Sequence, residues 1–298
     1  MSQAAPSDAA HEKERSAVEQ IFANKSYVDN PELLPWYMKD LDNLKPAARD
    51  LFENYSKVPS NEVIPHITKV RDQAFKTVFP YPCLGNWGFL DFSIGESQAY
   101  DEVLGRVKNG EKLLDLGCCM GQDIRKIVSD GAPSENTYAS DLKQEFWDIS
   151  LDLFLDKSTL KTTFIQADVL DDDSKLAQLD AKINIIYASS FFHVFDYEGQ
   201  VQVAKRVVKL LKPESGSLVL GRSGGKGEAG DFTHVKKDLK SYWHNAESWT
   251  KLWERVGEET GTQWKVDAFL GDEDLAKRMR SNLVPAGTRF LTFVVRRV

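Results

Sequence analysis

From Lys112 to the end of the chain, apolar positions follow two alternating rhythms. Continuous runs such as Leu113-Leu114 with Leu116, or Ile183 to Ser190, read as strands covered on both faces. Between them apolar residues recur at helical spacing, as Ile124, Ile127 and Val128 do. Strand and helix therefore alternate, which predicts a parallel sheet wound with crossover helices. The second strand is Thr137-Tyr138-Ala139-Ser140-Asp141, followed by a helix around Lys143 to Asp156, and the third strand is Thr162 to Asp168. The run Asp171-Asp172-Asp173 reads as the start of another helix, where acids favour the macrodipole. After the fourth strand come Phe191 to Asp196, a helix ending near Lys212-Pro213 and a fifth strand, Gly216 to Gly221. Arg222 to His244 is rich in glycine and charge and too long for a simple crossover, so it is expected to be a lid loop. Asn245 is placed to cap a further helix, and Trp264–Leu270 and Arg289–Val298 supply two last strands, seven in all.

The first part of the chain has a different texture. Residues 1 to about 30 show little periodicity before Val18, Ile21 and Phe22, which predicts a disordered start and a short helix. From Tyr27 to Leu104 aromatics and prolines dominate, and Val63, Ile64, Ile67, Val70 and Phe75 place a helix over Asn61 to Phe75. Such a segment cannot bury its aromatics alone. It is expected to be a helical cap over the carboxyl edge of the sheet, dividing the chain into a tail and cap at 1–104 and a ligand-binding domain at 105–298.

Composition narrows the partners. A net charge of −7 and a pI near 5.4 argue against general affinity for nucleic-acid backbone or anionic membrane. No apolar run approaches the roughly 18 residues of a membrane span, and the start of the chain has neither signal-peptide nor transit-peptide character. Cys83, Cys118 and Cys119 form no C-x-x-C, which favours a reducing, cytosolic setting without a zinc site. The expected partner is a small molecule; oligomeric state is left open.

Candidate chemistry concentrates where the first strand runs into Gly117-Cys118-Cys119-Met120-Gly121-Gln122-Asp123. Gly117 and Gly121 permit positive φ and close backbone approach, and the following helix offers free N–H groups and a partial positive charge. A phosphate-cradling P-loop would need Lys-Ser/Thr after the last glycine, and the dinucleotide fingerprint would need glycines where Cys119 and Gln122 stand. What remains resembles motif I of S-adenosylmethionine-dependent methyltransferases, an acid followed by G-x-G-x-G, here Asp115, Gly117, Cys119 and Gly121. The alternative is a strand-to-helix glycine with no ligand on it. Asp141 weighs against that alternative: it ends the second strand about 20 residues on, where nucleotide-binding α/β folds bond a ribose, although it could also cap the next helix.

The resemblance extends further. Tyr55-Ser56-Lys57-Val58-Pro59, Val63-Ile64-Pro65-His66-Ile67, Tyr81-Pro82-Cys83-Leu84-Gly85, Leu114 to Asp123 and Phe191-Phe192-His193-Val194-Phe195-Asp196 are similar to strings of a family of fungal methyltransferases acting on secondary metabolites, notably meroterpenoids. The similarity spans about residues 30 to 298, and Cys-Cys in the glycine turn is ordinary in that family. It implies an α/β, Rossmann-like class I methyltransferase fold with a seven-stranded, mostly parallel sheet and an N-terminal helical cap. It also implies S-adenosyl-L-methionine as cofactor, with Gly117 and Gly121 flanking the methionine moiety and Cys118 and Gln122 in the same turn. Asp141 would hold the ribose, Leu142, Asp168 and Val169 the adenine, and Ser189 or Ser190 would border the methyl group, with Trp36 and Tyr37 closing over the cofactor or simply packing.

Acceptor chemistry sets the remaining expectations. Members of that family are often carboxyl O-methyltransferases, and a carboxylate is already an anion that needs no base. A hydroxyl acceptor would need one; His193, just after the fourth strand, is the catalytic candidate, its alternative being to fix the helix start. Trp87, Phe89, Phe192 and Arg222 are the substrate-binding candidates, with His234, His244 and Lys226 as further basic groups on the expected lid. Rival readings are N- or C-methylation on the same fold, or a non-catalytic cofactor-binding regulator.

Overall fold

The computed structural model describes residues 8–233, 240–279 and 283–298. Helices α1 (Asp8–Asn24), α2 (Pro46–Asp50), α3 (Val63–Thr77), α4 (Pro82–Gly85) and α5 (Tyr100–Lys108) precede the sheet. Strands β1 (Leu113–Leu116), β2 (Thr137–Asp141), β3 (Thr163–Gln166), β4 (Ile185–Ser189) and β5 (Leu218–Gly225) then alternate with α6 (Gln122–Ser129), α7 (Gln144–Phe154) and α8 (Tyr197–Leu210). An antiparallel pair, β6 (Gly230–Thr233) and β7 (Lys240–Trp243), is followed by α9 (Ala246–Thr260), β8 (Trp264–Leu270), α10 (Leu275–Met279) and β9 (Arg289–Arg297).

Seven strands form one sheet in the order β3-β2-β1-β4-β5-β9-β8. β1 to β5 run parallel, and β9 enters antiparallel between β5 and β8. Strand order reverses between β1 and β4, so the crevice at their carboxyl ends is the place where a ligand fits an open α/β sheet. Leu114, Ile186, Ala188 and Val219 face α8 and α9 through Val203, Val207, Trp249 and Trp253. On the opposite face Leu113, Ile185, Leu218 and Leu220 pack on Val103, Val107, Ile124 and Ile127 of α5 and α6. Burial of each large apolar side chain stabilises by about 1.5–3 kcal/mol.

The residues before α5 share a third core with Phe146, Leu153 and Phe154 of α7 and Met120 of the glycine turn. At its centre Arg71, fully buried, lies 3.5 Å from the Trp87 ring and 4.5 Å from that of Tyr37, and donates to the carbonyls of Met38, Leu84 and Gly85. His66 is a packing residue, with Nε2 2.8 Å from the Leu153 carbonyl of α7.

Three expectations are corrected. The first helix begins at Asp8 and runs 17 residues, because Val18, Ile21 and Phe22 find partners in the cap core. Asp171–Asp173 starts no helix; Asp171 donates its N–H to Asp168 O and accepts that of Asp173, so the acids close a turn of their own before a short 3₁₀ segment at Lys175–Leu179. The described residues of the stretch 222–244 are not a simple loop: β5 continues through Gly225, paired with β9 as far as Arg289, and β6 and β7 pair antiparallel. Glycine content suggested irregular backbone there, but β9 supplies the hydrogen bonds. His234 lies outside the described residues.

Asn245 caps α9 as expected, its Oδ1 accepting the Ser248 N–H at 2.9 Å while Ser248 Oγ accepts its own N–H at 3.1 Å. Beside it, His244 is 3 % exposed, enclosed by Tyr197, Tyr242 and Trp249, and burial pushes its pKa down to about 4. The unfolded imidazole titrates near 6.5, so the stability gained by keeping it neutral is present above that pH and is lost as pH falls towards 4. Relative to wild type, His244→Phe is therefore expected to gain about 2–3 kcal/mol between pH 7 and pH 4.5, measured by urea unfolding at both. A difference independent of pH would refute this.

Candidate active site

The β1-to-α6 turn is built on positive φ angles, +77° at Gly117, +49° at Cys119 and +57° at Gly121. A side chain at Gly117 would put its Cβ 2.4 Å from the Phe191 ring, so glycine is required for close approach as well as for conformation. The N–H groups of Gly117 and Cys118 both donate to Ser140 O of β2, at 2.8 and 3.0 Å. Asp141 continues that tie: Oδ2 accepts the Cys119 N–H at 2.9 Å and Oδ1 the Lys143 N–H at 3.0 Å. Asp141 is thus a turn organiser and not the cap of α7. Burial pushes its pKa up, opposed by those backbone N–H bonds. Asp115, buried at the end of β1, is also pushed well up, first by burial and then by the charges of Asp123 and Asp141, and its Oδ2 has no partner.

Gly117, Cys118, Gly121, Gln122, Asp141, Leu142, Asp168, Val169 and Ser189 come together along the carboxyl ends of β1 to β4. Leu142 and Leu170 are 60 % and 48 % exposed there, an unusual state for leucines at strand ends, and Val169 is buried between them in sequence. Gln122 Nε2 donates to Asp123 Oδ2 at 3.0 Å, and its Oε1 is buried without a partner. Asp168 Oδ1 accepts the Leu170 N–H at 2.9 Å.

The cap closes on this edge through side chains from distant segments. Tyr81, preceding α4, lies beside Asp141, Cys119 and Cys83; burial and then the Asp141 charge push its hydroxyl well up. Ser93 Oγ lies 2.6 Å from Tyr187 Oη and 3.0 Å from Ser189 Oγ, joining the cap to β4. Two residues earlier, Asp91 receives Arg222 of β5 at 2.7 Å, Arg278 of α10 at 2.6 Å and Lys45 at 3.2 Å. Burial alone would raise the Asp91 pKa, but these three cations, Arg222 foremost, hold it below the usual carboxylate range.

His193 sits in a 3₁₀ turn after β4, half-buried. Its Nδ1 accepts the backbone N–H of Gly224 at 3.0 Å, and Ser223 Oγ accepts the His193 N–H at 3.0 Å while lying 3.2 Å from Nδ1. A peptide N–H can only donate, so Nδ1 keeps its lone pair and the neutral ring carries its proton on Nε2. Trp243 of β7 meets the His193 ring edge-on at 6.0 Å and stacks on Phe232 of β6 at 4.2 Å.

Four substrate candidates are relocated. Phe192 is fully buried against Trp249 and Phe293 in the core under α9. Trp87 and Phe89, 7 % and 2 % exposed, belong to the cap interior, where the Trp87 indole donates to Asp40 O. Arg222 lies in β5, committed to Asp91 and Glu96 and stacked on Phe290. Trp36 and Tyr37 likewise pack, donating to Pro80 O and Asp72. Ser93, Asp91, Tyr187, Gly224 and Trp243 escaped the sequence reading because nothing local marks them; only their partners do. Among the described residues no cluster of His, Cys, Asp or Glu could hold a metal ion, and no helix is long and apolar enough to cross a membrane.

Sequence comparison fits this architecture. Residues 36–90 match a family described as the meroterpenoid methyltransferase N-terminal domain, and residues 113–214 match a methyltransferase domain. The methyltransferase adrK of Penicillium roqueforti is 48 % identical over 81 % of this chain and 87 % of its own length. The O-methyltransferase phiE of a fungal species is 42 % identical over 88 % and 92 %, and the asnovolin E/chermesin D methyltransferase nvfJ of Aspergillus novofumigatus is 45 % identical over 76 % and 82 %. With a parallel sheet that reverses at β1 and β4, a glycine turn at the reversal and relatives this similar over most of their length, the chain belongs to the family of fungal secondary-metabolite methyltransferases of the meroterpenoid type.

Proposed function

We propose that this methyltransferase uses S-adenosyl-L-methionine to methylate a carboxylate oxygen of a small, largely apolar metabolite, giving a methyl ester. The residues at the sheet edge suit that cofactor: Asp141 accepts hydrogen bonds at the place a ribose diol would reach, exposed Leu142 and Leu170 offer apolar cover for an adenine, and Gly117 and Gly121 keep the turn clear of side chains. When bound, the cofactor supplies an electrophilic methyl group on a sulfonium. The chain's own task is to hold an acceptor oxygen in line and exclude water, a contribution of up to about 7–11 kcal/mol where alignment is good.

The observation that favours a carboxylate over a hydroxyl is the tautomer of His193. With Nδ1 engaged by Gly224 and the proton on Nε2, the imidazole has no free lone pair for taking a hydroxyl proton. An acceptor that arrives as an anion, with a pKa near 4, needs no such help at neutral pH. Relatives named O-methyltransferase, phiE among them, support oxygen as the acceptor.

Incubation with isotopically labelled S-adenosylmethionine and a panel of terpenoid and aromatic acids, each beside its alcohol or phenol counterpart, tests this. Mass spectrometry should find labelled products that mild alkali hydrolyses. Alkali-stable ethers, or methyl groups on nitrogen or carbon, as the only products would overturn it.

A further inference from the structure

We propose that Ser93 of the cap and Ser189 of β4 present one hydroxyl donor to the acceptor's carboxylate, with Tyr187 as the positioning residue that fixes its direction. The inference rests on the carboxylate reading above and assigns the groups that would recognise it. Ser93 Oγ lies 2.6 Å from Tyr187 Oη and 3.0 Å from Ser189 Oγ, so three hydroxyls are joined by two contacts. Each hydroxyl carries one proton and each contact uses one. One proton is therefore left over.

Burial decides where that proton sits. Tyr187 is 1 % exposed, and burial pushes its pKa well up, so the phenol keeps its proton and donates it into the serine pair. The remaining proton then belongs to one of the two serines, both half-buried at the sheet edge. A phenol donating into the pair also polarises the hydroxyl that points out of it. Neighbouring contacts place this hydroxyl at the crevice. Ile94, next to Ser93, donates its N–H at 2.9 Å to Asp123 Oδ1, in the first turn of α6 just beyond Gly121. Ser189 ends β4, beside the reversal of strand order between β1 and β4. On its other side it is level with Arg222 of β5, whose guanidinium is held by Asp91 and Glu96. The pair thus lies between the glycine turn and β5.

A carboxylate suits this donor. A hydroxyl donating to an anion makes a bond roughly twice as strong as one to a neutral oxygen. The carboxylate oxygen that accepts it becomes the ester carbonyl, and the other oxygen attacks. The new O–CH₃ bond forms as the S–CH₃ bond breaks, and no proton leaves the serine pair. Once the ester has formed, the accepting oxygen is neutral and the bond weakens, which favours product release. Because Ser93 belongs to the cap, the donor is complete when the cap is seated on β4.

The test compares two side chains of one shape in the full chain. Ser189→Thr keeps the hydroxyl, and Ser189→Val has the same branching with a methyl group in its place, so strain from branching is common to both. The substrate is whichever acid of the panel above turns over fastest, with S-adenosylmethionine saturating. Ser189→Val should then show a KM about 10-fold above that of Ser189→Thr. Ser93→Ala should raise KM by a similar factor, and Tyr187→Phe, which removes a sealed oxygen, by about 3-fold. Calorimetric affinity for S-adenosylhomocysteine should be the same in the threonine and valine variants. Equal KM in those two variants, or a wild-type KM in Ser93→Ala, would overturn the proposal. So would a difference between them confined to S-adenosylhomocysteine affinity, which would give the hydroxyl to the cofactor. Alkali-stable products would instead refute the carboxylate reading; esters formed without these variant effects would refute the serine pair alone.

Discussion

Replacing Asp156 with alanine is expected to destabilise the protein by about 3–5 kcal/mol, the largest single effect anticipated outside the apolar core. Asp156 holds Arg125 through Nε at 2.9 Å and Nη2 at 3.2 Å, with both side chains essentially out of water. Arg125 also donates to the carbonyls of Met120 and Gly121 and stacks 4.4 Å from the Trp147 ring centroid, so one guanidinium ties the glycine turn to α7. Tyr55 of the cap donates to the same carboxylate at 2.8 Å. Removal leaves a buried cation and a hydroxyl without their acceptor, and the cost is dominated by that unpaired charge. Denaturant unfolding should therefore shift strongly, and the pair Arg125→Met with Asp156→Leu should recover much of the loss because it buries no charge. A single variant as stable as wild type would show that the carboxylate is dispensable.

Asp141→Ala is expected to weaken binding of S-adenosylhomocysteine by about 1–3 kcal/mol, that is roughly 5- to 150-fold, in calorimetric titration. Two losses combine. The ribose would lose a charged acceptor, and the Cys119 and Lys143 N–H groups lose the oxygens that hold the turn. Asp141→Asn keeps one acceptor and should fall between wild type and alanine. Burial raises the Asp141 pKa, and the carboxylate form is the one that accepts ribose hydroxyls. Affinity should therefore be full above that raised pKa and decline as pH falls through it, a dependence absent from the alanine variant. Unchanged affinity in folded Asp141→Ala would remove Asp141 from the cofactor site.

The relocated residues show where sequence reading fails. Arg222 was placed on a lid because glycines and charges surround it, yet β9, more than 60 residues later in the chain, turns that stretch into a central strand. Phe192 adjoins His193 in a distinctive string, but the chain turns between them, sending Phe192 into the core and His193 to the edge. Trp87 and Phe89 were legible as aromatic and not as directed: Trp87 has φ +64° and its ring is taken by Arg71.

By itself the sequence determined the backbone plan. Apolar runs broken by helical spacing marked seven strands with crossover helices, glycines marked the turn after β1, and an acid marked the end of β2, because each depends on residues adjacent in the chain. Tertiary structure alone decided which groups face one another. Asp91 and Arg222 are 131 residues apart, and the proton on His193 is placed by a glycine 31 residues away. A peptide N–H, a serine hydroxyl or an indole carries no local mark of its partner; its chemical role is set by the hydrogen bond it makes or lacks, and that exists only once the chain has folded.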